Sequence, residues 1–288
     1  MTKKKLIVSG ATGLIGSALV AALASDWEVH AIARRAGAQG NVVWHPMDLA
    51  RPGDFGGLPR SADAFVYLAQ SEFFREFPKH AVDIFQVNTV NLLGALDYAR
   101  SSGCRTFVYG SSGGVYGTGE RSMSEQVEIA ARGDLGFYLG SKLCSEIVAH
   151  NYARILDVVI LRYFFVYGPG QRASMLVPRL IQRVRRGEPV DLQGEDGIRV
   201  NPTHVADAAA ATARALSLTG SHTINVGGPE VLALRELCEA IGEAVGRAPV
   251  FRVDRAAAPG HLTADIRLMC EMLLTPTVRF ADGLTSML

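Results

Sequence analysis

The segment "VSGATGLIGSAL" near the N-terminus constrains the fold more than any other part of the chain. It follows the short apolar run "KLIVSG" and leads into "LIGSALVAALAS", where Leu14, Ala18, Ala21 and Ala22 fall at helical spacing. Gly10, Gly13 and Gly16 therefore sit between a strand and a helix. Gly10 allows the tight turn. Gly13 lets the backbone approach a pyrophosphate. Gly16 lets the helix pack close to the sheet, and the helix N-terminus offers free N–H groups to the anion.

The first half repeats this alternation. "EVHAIA", "NVVWH", "DAFVYLA", "RTFVYGSS" and "DVVILRYF" read as strands. "DIFQVNTVNLLGALDYARSSG" and "GFYLGSKLCSEIVAHNYARI" read as helices between them. Short apolar runs alternating with longer helices predict β-α-β units and a parallel sheet. From about Tyr167 the texture changes to glycine- and proline-rich stretches with short elements, a late strand "TINVGG" and an amphipathic helix "LRELCEAIGEAVG".

Composition narrows the partners. Lysine plus arginine number 29 against 28 acids, a net charge of +1, so nucleic acid and anionic membrane are not indicated. Cys104, Cys144, Cys238 and Cys270 lack C-x-x-C spacing, so no metal site is expected. No run of 18 apolar residues occurs, and the expected location is cytoplasmic.

The second strand runs into Arg34 and Arg35 with no carboxylate beside them. An acid there suits the ribose hydroxyls of NAD, and arginine suits the 2′-phosphate of NADP. The expected cofactor is NADP, with NAD as the alternative. Asp48 has two readings, an adenine contact or a helix entry.

In "FYLGSK", Tyr138 and Lys142 lie four apart and share a helix face. A nearby ammonium favours the phenolate, so Tyr138 can move a proton while hydride passes to or from nicotinamide. Upstream, "YGSSGGVYG" offers a serine to hold the reacting oxygen.

"GATGLIG", "SSGGVYG", "YLGSK", "LRYFFVYGPGQ", "NPTHVADAA" and "INVGG" occur in the order seen in extended short-chain dehydrogenase/reductases, which the chain resembles over nearly its whole length. These are NAD(P)-dependent nucleotide-sugar epimerases, dehydratases and reductases. The resemblance implies an α/β fold, a Rossmann doubly wound parallel sheet with a smaller C-terminal α/β substrate domain. Residues 1–166 would bind the dinucleotide, and 167–288 would form the substrate region, with about 203–226 returning to pack on the Rossmann core. It implies Tyr138 as acid/base, Lys142 as ribose anchor and pKa modulator, and Ser112 at the catalytic Ser/Thr position. Tyr163, Phe164 and Phe165 would line the cleft near the nicotinamide. Thr12, Leu14, Ile15, Leu49, Leu68, Ala69, Gln70 and Asn88 join the expected cofactor set, together with Tyr138 and Lys142. A homodimer is expected through residues 81–102 and 136–155.

Departures narrow the chemistry. Gly113 and Gly114 stand where the sugar dehydratases carry an acidic pair, so dehydration is not expected. Phe165 replaces an asparagine, and the substrate-phosphate arginine falls on Val200, with Arg199 one residue away. Arg199 or Arg172 is the expected substitute. Ser71, Ser112, Gly113, Tyr138 and Phe165 complete the expected substrate contacts. "FFREFP" after Glu72 reads as a substrate loop or a capped surface loop. The expected function is reduction or epimerisation of a nucleotide-activated sugar. The alternatives are a reductase of a non-sugar ketone or aldehyde, and a dinucleotide-sensing protein without turnover.

Overall fold

The computed structural model describes residues 3–37, 40–129 and 135–288. The apolar runs become strands β1 (Lys4–Ser9), β2 (Trp27–Ala33), β3 (Val43–Pro46), β4 (Ala64–Tyr67), β5 (Thr106–Ser112) and β6 (Asp157–Tyr163), joined by a seventh strand, His222–Val226. They form one parallel sheet in the order seventh strand, β6, β5, β4, β1, β2, β3. Leu6 of β1 pairs with Val29 on one side and with Ala64 on the other. The strand order reverses between β1 and β4, which makes that edge the ligand-binding crevice of an open α/β sheet.

Both sheet faces are covered, as the strands' near-continuous apolar runs require. Helix α1 (Leu14–Leu23) buries Leu19 and Val20. Residues 81–102, read as one helix in the sequence, form α2 (Ala81–Phe85), a π turn (Gln86–Val90) and α3 (Asn91–Ser102). A π turn inserts a residue into the helical repeat and is common at functional sites. Gly103, at φ 79°, ends α3. Helix α4 (Gly136–Tyr152) carries the Tyr138–Lys142 pair. Leu92, Ala95, Leu96 and Ala99 of α3 and Ala149 of α4 share a core with Ile7, Phe65, Tyr67, Phe107, Tyr109 and Ile160. The alternate residues Leu6, Val8, Val66, Val108, Val159 and Leu161 are buried as well, on the other face.

The chain divides into two compact units. One comprises residues 1–115, 129–162 and 209–224, and the other 116–128, 163–208 and 225–288. The excursion 116–128 thus belongs with the second unit, held there by Asn225, whose amide nitrogen donates to the Met123 carbonyl at 2.8 Å. In the second unit, helices α5 (Leu176–Arg186) and α7 (Leu234–Val245) enclose Leu180, Ile181, Val190, Leu192, Leu237 and Ile241. Helix α6 (Val205–Ala215) straddles the division. At its start, Asp207 accepts from the Thr277 and Val278 amides. Among the described residues, no helix is long and apolar enough to cross a membrane.

Within the first unit, Glu146 of α4 and Arg162 of β6 form a buried ion pair, with Nη2 to Oε2 at 2.6 Å and Nε to Oε1 at 3.0 Å. Arg162→Met would strand a buried carboxylate and is expected to cost about 3–5 kcal/mol, read as a lower urea midpoint. Adding Glu146→Met should recover most of that loss. A double variant as unstable as the single one would show that the pair is not the cause.

Candidate active site

The loop after β1 takes the conformation its glycines allow. Gly10 has φ 71°, and a Cβ there would lie 2.7 Å from the Ala69 nitrogen of the segment after β4. Only glycine combines that backbone with that approach. The Gly13 N–H donates to the Gly10 carbonyl at 2.9 Å, and Gly13 caps α1 without a side-chain hydrogen bond. A Cβ on Gly16 would collide with the Gly10 carbonyl. Thr12 and Gly13 are exposed, and Leu14 and Ile15 are half-buried. The result is a side-chain-free cradle facing a helix N-terminus, which fits a pyrophosphate.

The other residues expected at a dinucleotide fall into two groups. Arg34, Arg35, Asp48 and Gln70 are exposed, and Leu68 is half-buried. Leu49 and Ala69 are not presented by their side chains. Leu49 sits in the core, its carbonyl accepting from the Asn91 amide at 2.6 Å, and Ala69 is buried beside it. Asp48 accepts from the Ala50 N–H at 3.1 Å, which closes a turn rather than opening a helix. Arg34 is not open as two adjacent arginines suggest. Its Nη1 donates to Glu72 Oε1 at 2.6 Å.

The π turn places Asn88 fully inside the first unit. Its Oδ1 accepts from the Ser71 N–H at 3.2 Å, and its Nδ2 donates to Ser141 Oγ at 2.9 Å. It therefore fastens the loop after β4 to α4. Ser71, expected at the substrate, is buried instead, with its hydroxyl donated to Asp83 and its oxygen accepting from the Phe73 N–H. These bonds make it a loop clamp.

Tyr138 is half-buried, and its hydroxyl donates to Gln70 Oε1 at 2.9 Å. The Phe74 ring packs 5.0 Å from the Tyr138 ring. Burial pushes the Tyr138 phenol above its ordinary pKa, while a hydrogen bond with Ser112 and the Arg75 charge pull it back. Arg75 itself stacks over Phe74 at 5.0 Å. Lys142 is buried, and its Nζ donates to the Gly110 carbonyl at 2.8 Å over the Tyr109 ring. Burial lowers the Lys142 amine to about 7, with Glu146 opposing the shift. The cation expected to activate Tyr138 is thus itself reluctant to charge, because an ammonium in low dielectric loses its hydration. The charge acting on the phenol comes from Arg75, which the sequence reading did not single out. Glu146 was also missed, although Tyr138, Lys142 and Glu146 run at four-residue spacing along one helix face.

Ser112 Oγ accepts from the Gly114 N–H at 3.2 Å. Gly113 is buried, and a Cβ on Gly114 would lie 2.8 Å from Leu139 Cδ2, a side-chain tip that would have to move aside.

In the second unit, Tyr163 is half-buried and Phe165 holds φ 41°, unusual for a bulky residue. Phe164 does not line a cleft. It is 1% exposed, packed with Met123 and Ala264. Val200 is buried, while Arg172 and Arg199 are exposed, the Arg199 N–H donating to His261 Nδ1 at 3.1 Å.

Comparison with known proteins gives a consistent picture. The model of the NAD dependent epimerase/dehydratase family matches residues 6–227. A protein of Bacillus subtilis (strain 168) described as an uncharacterized UDP-glucose epimerase is 27% identical over 315 residues, covering 98% of this chain and 96% of its own. A dTDP-glucose 4,6-dehydratase of Streptomyces griseus is 28% identical over 305 residues, covering 98% and 92%. Among solved structures, the UDP-glucuronic acid 4-epimerase from Bacillus cereus, in complex with UDP-glucuronic acid and NAD, superposes with a TM-score of 0.85 at 26% identity, over 98% of this chain and 97% of that one.

The Lys142 environment has a pH signature. Between about 7 and the ordinary value of 10.5, the unfolded chain binds a proton that the folded chain does not. Stability therefore rises with pH across that window, and the burial penalty is fully present below it. Against Lys142→Met, which has no amine to titrate, wild type should gain up to about 1.4 kcal/mol per pH unit from pH 7 towards 10. Parallel denaturation curves for the two proteins at every pH would refute the shift.

Proposed function

Because the chain belongs to the NAD dependent epimerase/dehydratase family, we propose that it is an NAD-dependent epimerase of a nucleoside-diphosphate sugar, with Tyr138 as its proton carrier. The observation that carries this reading is the Tyr138 hydroxyl, which donates to Gln70 at 2.9 Å, is acted on by Ser112 at the end of β5, and stands on the helix that also holds Lys142. The UDP-glucuronic acid and NAD held by the Bacillus cereus neighbour support the choice of substrate class and cofactor.

When bound, the nicotinamide dinucleotide supplies the acceptor and donor of hydride. Tyr138 takes the proton of a sugar hydroxyl as its carbon is oxidised, and returns it when the ketone is reduced from the other face. Ser112 holds that oxygen. Arg75 favours the phenolate that the first step needs, and burial under Phe74 favours the phenol that the second step needs. A carrier that must work in both directions is served by such opposed influences. Dehydration is set aside, despite the Streptomyces griseus relative, because Gly113 and Gly114 bring no acid. Arg172 and Arg199 of the second unit are the cations we assign to the nucleotide's phosphates.

A panel of UDP-, GDP-, dTDP- and CDP-linked sugars, followed by product NMR and cofactor absorbance, tests the reading. A changed stereocentre without net cofactor consumption supports the epimerase. Stoichiometric loss of reduced cofactor with a 4-keto sugar selects a reductase instead, and activity confined to plain ketones or aldehydes removes the sugar. With the best substrate, Tyr138→Phe should keep dinucleotide binding and lose about 10²–10⁴-fold in turnover. Near wild-type turnover would overturn its role.

A homodimer belongs to the same proposal. Val82 of α2 is 83% exposed, Leu93 of α3 46% and Ile147 of α4 57%, so each helix of the expected dimer contact offers an exposed apolar side chain. Such side chains suit contact with a second copy. Light scattering should give about twice 30.9 kDa, and Leu93→Glu with Ile147→Glu should give the monomer. A wild-type monomer at working concentration would refute the dimer.

A further inference from the structure

In a dinucleotide-binding sheet, an acid about 20 residues beyond the glycine loop ordinarily meets the adenosine ribose at the end of the second strand. Here β2 ends at Ala33 and is followed by Arg34 and Arg35. The sequence alone points to a phosphate there, but the fold brings in charge from elsewhere. Glu72, which follows β4, accepts from Arg34 Nη1 at 2.6 Å. Strand β1 lies between β2 and β4, so this ion pair joins the two loops that flank the glycine cradle.

Glu72 is not a wandering surface acid. Its neighbour Ser71 is buried, with its N–H on Asn88, its hydroxyl on Asp83 and its oxygen accepting from the Phe73 N–H. The backbone that presents Glu72 is therefore fixed on both sides. Two further carboxylates act on the same guanidinium. Glu72 contributes most to holding Arg34 above its usual pKa, and Asp48 and Asp83 add to it. Arg34 is thus paired with one carboxylate and feels two more at longer range, and a phosphate approaching it meets their field as well as its own cation.

We propose that Glu72 is the residue that sets dinucleotide choice: by occupying Arg34 and placing a carboxylate beside the end of β2, it makes the chain take NAD and disfavour the 2′-phosphate of NADP. This rests on the proposed dinucleotide reading of the glycine loop. It replaces the NADP expectation drawn from Arg34 and Arg35. A 2′-phosphate approaching the Arg34 N–H groups that Glu72 leaves open would come up beside the Glu72 carboxylate, which already holds Nη1. Like charges at that separation repel, and the repulsion weakens with salt.

The test is calorimetric titration of NAD⁺ and NADP⁺ into nucleotide-free full-length protein, at low and at physiological salt. Wild type should bind NAD⁺ at least about tenfold more tightly than NADP⁺. Glu72→Gln should tighten NADP⁺ by about tenfold while moving NAD⁺ less than about threefold, with the larger effect at low salt. Arg34→Gln frees the Glu72 charge, so it should weaken NADP⁺ further and leave NAD⁺ within the same limits. A wild-type preference for NADP⁺ would overturn the inference alone. So would a Glu72→Gln protein with an unchanged ratio, or an Arg34→Gln protein with improved NADP⁺ binding. A folded wild-type protein that binds neither dinucleotide removes the functional reading and this inference with it.

Discussion

One buried carboxylate organises the first unit around its chemistry. Glu146 lies on α4, one turn beyond Lys142 and two beyond Tyr138. It accepts from Ser111 of β5 and pairs with Arg162 of β6. A charge this deep is tolerable only when paired and fully hydrogen-bonded. The pairing therefore fixes how α4 sits on two strands at once. That in turn aims Lys142 at the Gly110 carbonyl of β5 and leaves Tyr138 at the open end of the helix. The same carboxylate opposes the loss of charge on Lys142 that burial imposes. Structure and electrostatics at this site share one cause, so the lysine's protonation cannot be changed without touching the packing of the helix.

The sheet was legible in the sequence because its signals are local. A strand, three glycines at fixed spacing and a helix start can be read in a dozen residues, and the reversal of strand order follows from repeated β-α units. Family membership was legible for the same reason, since its motifs are short and ordered. What escaped were the partners supplied from afar. Arg162 is 16 residues from Glu146, and Glu72 is 38 residues from Arg34. No pattern in the sequence states that these residues meet. Two adjacent arginines read as a positive site until the fold sets a carboxylate against one of them.

Alternation also misleads where two side chains of the same kind compete for one interior. "YFF" offers three aromatic rings in a row, yet Phe164 fills the second unit's core while Tyr163 and Phe165 stay half-buried. Leu49 shows the same ambiguity: in sequence it follows an aspartate suited to adenine, and in the fold it belongs to the hydrophobic core. The serine at 71 was read as a substrate ligand because a hydroxyl near a cofactor invites that role. Its partners are the Asp83 carboxylate, the Asn88 side-chain oxygen and the Phe73 N–H, which turn it into a fastening.

That fastening sits between two polar contacts of the first unit. The segment after β4 presents Gln70 to Tyr138 and Glu72 to Arg34, with the clamped Ser71 between them. Asn88 of the π turn bonds both the Ser71 N–H and Ser141 Oγ of α4, so the middle of that segment is tied to the helix that carries Tyr138. A change at Asn88 would disturb both at once, whereas changes at Gln70 or Glu72 separate them. The partners of the Tyr138 hydroxyl and of the Arg34 guanidinium thus stand two residues apart on one segment, with a helical irregularity on the neighbouring segment bonded between them.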